Sequence, residues 1–117
     1  MDHYISEFQN NMGTCEVLDY AVYMQKQTGF ARFNPFASAQ QLVVYVTNRG
    51  CYCCRIQSMG EFTRPVPVEQ EGLQMSADGR QVFCTDTGKT FGYIRKCKGG
   101  AYASLDQFAA AVREACQ

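Results

Sequence analysis

The chain has 117 residues, 46% of them hydrophobic and 19% charged, which suits one packed domain and excludes both two ordinary domains and an intrinsically disordered chain. Eleven Lys and Arg offset eleven Asp and Glu, so no net field steers the protein onto nucleic acid or an anionic membrane. The longest strongly apolar run, 42–46, falls far short of the ~20 residues a spanning helix needs, so no membrane partner is expected.

Tyr4, Ile5, Phe8 and Met12 recur at about one helical turn and predict a short amphipathic helix closed near Gly13. Thr14 is placed to cap a second helix over Cys15 to about Gln27. Val17, Leu18, Ala21 and Met24 lie on its packed face, and Gly29 stands just past its end. Tyr20 and Tyr23 widen that stripe, so both sides of the element are expected to be covered. From Gln41 the pattern changes, because 42–47 is dense in β-branched and aromatic residues and reads as a strand. Asn48-Arg49-Gly50 supplies a three-residue turn into a return strand over 51–57. Pro65 and Pro67 make 60–72 an extended crossing, edge strand or loop.

Asp78-Gly79 is a hairpin turn between strands at 73–76 and 81–85, and Asp86-Thr87-Gly88-Lys89 turns again into 90–95. Ser104 and Gln107 fit a capping box, and Leu105, Phe108, Ala109, Val112 and Cys116 form one apolar stripe of a closing helix. The predicted fold is α+β in a single domain over 1–117: N-terminal helices, an antiparallel meander of about five strands, and a C-terminal helix packed on the sheet.

Seven cysteines leave at least one thiol unpaired in a monomer. The acidic, amphipathic N-terminus does not match a secretory signal, so reduced thiols in a cytoplasmic protein are expected. Cys51-Tyr52-Cys53-Cys54 contains a Cys-x-x-Cys spacing, the arrangement of a dithiol or half of a tetrahedral zinc site. The strand residues 43–46 leading into Cys51–Cys54 resemble the strand-to-active-site segment of glutaredoxins and thioredoxins, and 105–116 resembles their closing helix. That resemblance covers about a quarter of the chain, and it implies a thiol oxidoreductase or redox sensor using Cys51 and Cys54. The pattern departs downstream, where only ten residues separate Cys54 from Pro65, too few for the long helix and further strand those families carry. On a strand, moreover, Cys51 and Cys53 share one face while Cys54 points to the other.

No cofactor is expected. The zinc alternative would draw on Cys51, Cys54, Cys84 and Cys97, although the twelve residues between the last two match no paired-knuckle spacing. His3 is the sole imidazole, and no Gly-x-Ser-x-Gly, His-Glu-x-x-His or phosphate-loop pattern occurs, so catalysis is disfavoured. Gly88-Lys89-Thr90 lacks the upstream glycine of a phosphate loop and reads as a hairpin turn.

Charge is unevenly spread. Residues 1–31 carry four acids and one base, whereas 79–100 carry Arg80, Lys89, Arg95, Lys96 and Lys98 against Asp86. Phe30, Arg32, Phe33 and Phe36 make an aromatic-basic stretch of the composition that protein-interface hot spots favour. The residues expected to meet a partner are therefore Phe30, Arg32, Phe33, Phe36, Arg95, Lys96 and Lys98. The leading expectation is a small non-enzymatic protein that binds a macromolecular partner as an adaptor, regulator or inhibitor. Its size, odd thiol count and lack of catalytic motifs would suit an accessory protein of a virus or mobile element. A weak single-stranded nucleic-acid binder and a homodimer contact through the aromatic stretch are the further alternatives.

Overall fold

The computed structural model describes residues 2–13, 15–26, 40–57 and 59–116. Helix α1 (His3–Met12) begins where the Asp2 carboxylate accepts the Tyr4 amide at 2.8 Å, and it ends at Gly13, whose φ of 62° no side-chain-bearing residue adopts cheaply. Phe8 is its fully buried residue, with Tyr4, Ile5 and Met12 packed beside it, as the periodicity predicts. Among the described residues seven strands follow: β1 (Val17–Gln25), β2 (Gln41–Thr47), β3 (Gly50–Ile56), β4 (Val66–Pro67), β5 (Leu73–Met75), β6 (Gln81–Cys84) and β7 (Lys89–Lys96). A 3-10 turn over Val68–Glu71 links β4 to β5, and helix α2 (Leu105–Ala115) closes the chain. The strands form one sheet in the order β4-β3-β2-β1-β7-β6-β5, every pair antiparallel. The α+β architecture is therefore the predicted one, with seven strands in place of about five.

The two additional strands have different causes. The helix expected over Cys15 to about Gln27 is not what forms: within that span Val17–Gln25 runs as β1 at the centre of the sheet, between β2 and β7. Five consecutive residues, Asp19 to Tyr23, are buried there. An unbroken buried run is what a strand covered on both faces shows, and a one-sided helical stripe does not give it. Two backbone ladders and the aromatic and β-branched side chains outweigh the weak helical periodicity. The second addition, β4, is a two-residue edge strand pairing Val66 with Cys53 and Pro67 with Tyr52. An edge is where a proline, lacking a ladder donor, is tolerated.

Hairpin geometry follows the turn residues closely. Thr47 pairs with Gly50, so the β2–β3 loop is Asn48-Arg49, one residue shorter than expected, and Gly50 takes a φ of 116°. Gly79 is held more tightly. Its φ is 75°, its carbonyl accepts the Tyr23 hydroxyl at 2.7 Å, and a Cβ there would come within 2.8 Å of Leu105 Cγ on α2. Gly88 has a similar φ of 71° but open space around it. Gly79→Ala is therefore expected to cost about 2–4 kcal/mol, combining left-handed strain with overpacking, and Gly88→Ala only ~1–2 kcal/mol. Urea denaturation of the two variants checks the difference; equal losses would show that the α2 contact at Gly79 carries no weight.

The sheet separates two apolar layers. On one face, Phe108, Ala109 and Val112 of α2 pack on Ala21, Tyr23, Leu42, Val44, Val82 and Phe91, among others. On the other, Phe8 of α1 packs on Tyr20, Val22, Val43, Tyr45 and Cys54. The α2 cap differs in detail from the expected box. Ser104 makes no side-chain cap bond, while Gln107 reaches back to accept the Ala103 amide at 3.2 Å. Among the described residues, no helix is long and apolar enough to cross a membrane.

Candidate partner-binding cleft

An acid inside an otherwise apolar strand needs a cation, because an unpaired buried charge is costly. Asp19 is that acid, with a side chain fully buried in β1. Its carboxylate accepts the Tyr20 amide at 2.8 Å and the Tyr102 amide at 3.2 Å, and it pairs with Lys96 Nζ at 2.5 Å. Lys96 also donates to the Tyr102 carbonyl. Gly100 lies against the same carboxylate so closely that a Cβ would overlap it. This node binds the end of β7 and the chain after it to the centre of the sheet.

A β-bulge opposite Val22 and Tyr23 interrupts the β1–β7 ladder, so that Tyr93 pairs with Tyr23 while Arg95 pairs with Val22. Val22 lies on the α1 face, and the extra residue directs Arg95 there as well. Its guanidinium stands 4.7 Å from the centroid of the Tyr4 ring and donates to the Tyr4 hydroxyl. The Tyr4 ring in turn lies 5.2 Å from Tyr20. Tyr20 donates its hydroxyl to Asp2 at 2.6 Å, and Tyr45 donates to the Tyr4 carbonyl at 2.8 Å. The first turn of α1 is thereby fixed to the sheet by side chains of β1, β2 and β7. Between them opens a cleft of about 350 Å³ lined by Asp2, His3, Tyr4, Arg95, Lys96 and Lys98, with Tyr20 at its base.

The structure thus brings Arg95, Lys96 and Lys98 together in one cleft, but with different duties. Lys96 is neutralised by Asp19, whereas Arg95 and Lys98 are exposed and, among the described residues, form no ion pair. Phe30, Arg32, Phe33 and Phe36 lie outside the described residues. Sequence reasoning missed Asp19, which it placed on a helix, and treated Tyr4 only as core. The single acid within Val17 to Met24 was the available signal for the first; nothing local marked Tyr4 as a partner of Arg95, 91 positions away.

The cysteines are arranged as packing groups. Cys51 and Cys53 belong to the α2-side layer and Cys54 to the α1-side layer, so Cys51 and Cys54 do not face each other across a redox pair. All seven thiols are free. Burial pushes Cys51 up to about 11, with lesser contributions from Cys116 and Glu69. Burial likewise pushes Cys54 up to about 11, against a hydrogen bond with the Tyr45 hydroxyl that lowers it. The zinc alternative fares similarly: Cys84 sits with Cys51 on one side of the sheet, and Cys97 with Cys54 on the other. Among the described residues, no three His, Cys, Asp or Glu side chains are gathered to hold a metal ion.

These thiols make a pH prediction with a definite sign. Folded Cys51 and Cys54 keep their protons to about 11, whereas unfolded thiols ionise near 9.0. The folded state then binds more protons than the unfolded one, so stability is fully present below pH 9.0 and falls as pH rises toward 11. Alkylation of both thiols is expected to be slow at neutral pH and to accelerate over that same alkaline range. Selective fast labelling of either at pH 7 would contradict the packing role.

Comparison of the chain with protein-family models, curated proteins and solved structures finds no match.

Proposed function

We propose that the protein acts by binding a macromolecular partner, another protein, as an adaptor, regulator or inhibitor, without a chemical step of its own. The observation that carries this reading is the cleft at the α1–β7 junction, which two exposed cations line, one of them, Arg95, over the Tyr4 ring. Arg95 is oriented by the Tyr4 ring and hydroxyl before any partner arrives, which lowers the side-chain ordering cost of binding. Lys98 adds a second charge with no acidic partner among the described residues. Arg beside Tyr is also the composition that interface hot spots prefer. A carboxylate-bearing protein segment meets this chemistry through charge-assisted hydrogen bonds to the guanidinium.

Single-stranded nucleic acid is favoured less, since it needs free ring faces for stacking. Tyr20 is only 4% exposed, and the Tyr4 ring is already covered by Arg95. The test is capture from a lysate of the source cells with the wild type and with Arg95→Ala/Lys98→Ala, both confirmed folded by circular dichroism. A protein recovered by the wild type and lost by the variant is the expected result. Equal recovery by both, or retention of oligonucleotide in place of protein, contradicts it.

A further inference from the structure

Among the described residues, only half of the α1-side face of the sheet is covered. Helix α1 packs over β1, β2 and β3, and among the described residues the core on that side draws none from β5, β6 or the body of β7. On β5, β6 and β7 the alternation that buries Leu73, Met75, Val82, Cys84 and Phe91 under α2 turns Gln74, Gln81, Phe83, Thr90 and Gly92 to the opposite side. Phe83 is 36% exposed, Ile94 beside the bulge 43%, and Met24, on the α1 side of β1, 41%. Gln74, Gln81, Phe83 and Thr90 border a hollow of about 350 Å³ on this surface.

The exposed cations at the two ends of that strip, Lys26, Arg95 and Lys98, outnumber the acid Asp2 that lines the cleft beside it. Lys26, just past the end of β1, lays its stem across Gly92, and its position marks one end of the strip. Arg95 and Lys98 mark the other, in the cleft beside Ile94. None of the side chains that the strand alternation turns to this half-face is acidic. Its elements are therefore an apolar centre of Met24, Phe83 and Ile94, polar Gln and Thr between them, and cations at both ends.

We propose that this half-face is the docking surface for an amphipathic, acidic helix of the partner, lying beside α1 and completing the helical layer on that side of the sheet. The inference rests on the partner-binding reading above and specifies the partner's chemistry. Charge complementarity selects the occupant: the apolar stripe of such a helix covers Met24, Phe83 and Ile94, and its flanking carboxylates reach Lys26, Arg95 and Lys98. A helix suits the site because sheets bury an apolar face under helices, and α1 already sets the layer height next to it.

The probe is a fluorescent peptide of about 14 residues, ~21 Å as a helix, with Leu at helical spacing and Glu elsewhere, compared with a scramble of identical composition. The wild type is expected to bind the amphipathic peptide at least ~10-fold more tightly than the scramble. Phe83→Thr/Ile94→Thr, which keeps strand-compatible residues at exposed positions, is expected to remove that preference. Arg95→Ala/Lys98→Ala is expected to weaken both peptides. Equal binding of peptide and scramble, or no effect of Phe83→Thr/Ile94→Thr, overturns the docking surface. Loss of both peptides with Arg95→Ala/Lys98→Ala would still leave the cleft intact as a binding site in that case. If the protein instead sediments as a dimer that Phe83→Thr/Ile94→Thr disperses, the face is a contact between two copies and the proposal is overturned.

Discussion

Asp19→Ala is expected to destabilise the protein by about 3–5 kcal/mol, the cost of removing one partner from a buried ion pair. The substitution leaves three donors without their acceptor: Lys96 Nζ and the amides of Tyr20 and Tyr102. The Lys96 side chain is 14% exposed, so water relieves part of its penalty and places the expected loss toward the lower end of that range. Lys96→Ala is expected to cost at least as much, because it leaves the Asp19 carboxylate fully buried with two backbone donors and no counter-ion. The double variant should lose clearly less than the sum of the two single ones, since each single change already breaks the same interaction. Urea denaturation of the four proteins measures this directly. Additive losses would mean that the pair is not coupled and that the end of β7 is held by its ladder alone.

Phe8→Ala separates the two sides of the sheet. Phe8 is fully buried with its ring centroid 4.4 Å from Tyr45, and truncating such a residue costs about 3–5 kcal/mol. Phe8 is also the one residue of α1 that is fully buried, so its loss loosens the helix that supplies Asp2, His3 and Tyr4 to the cleft. Phe108→Ala removes a ring of the same size from α2, on the opposite side. Both variants are expected to lose comparable stability. Under conditions where each remains folded, only Phe8→Ala should lose binding of an acidic peptide. If both variants lose it equally, binding depends on general stability, and the placement of the cleft at the α1–β7 junction is wrong.

How legible the protein was from its sequence depended on how local each signal was. The β2–β3 hairpin, the Asp78-Gly79 turn and the closing helix were readable because turn glycines and period-3.6 or period-2 patterns lie within a few residues of each other. Strand β1 was not, because Val17, Leu18, Ala21 and Met24 fall at a spacing a helix also satisfies. The decision belongs to β2 and β7, which flank it in space and lie far off in sequence. The same mistake hid Asp19: on a helix it reads as a surface acid, and on a doubly covered strand it demands Lys96. The basic cluster at 95–98 was visible as a charge bias, yet its orientation depended on a bulge that no local residue announces. The splitting of Cys51 from Cys54 followed from strand alternation alone, once that segment was read as a strand.

The binding proposed for the cations at the junction of α1 and β7 is that of a carboxylate-bearing segment. An NMR titration of nitrogen-15-labelled protein with a short all-glutamate peptide tests it most directly. Amide shifts concentrated at Tyr4, Tyr20, Arg95, Lys96 and Lys98, saturating with peptide and weakening as salt is raised, are the predicted result. Shifts concentrated instead at Arg49, Arg64 or Arg113, or spread evenly over every surface cation, would contradict it.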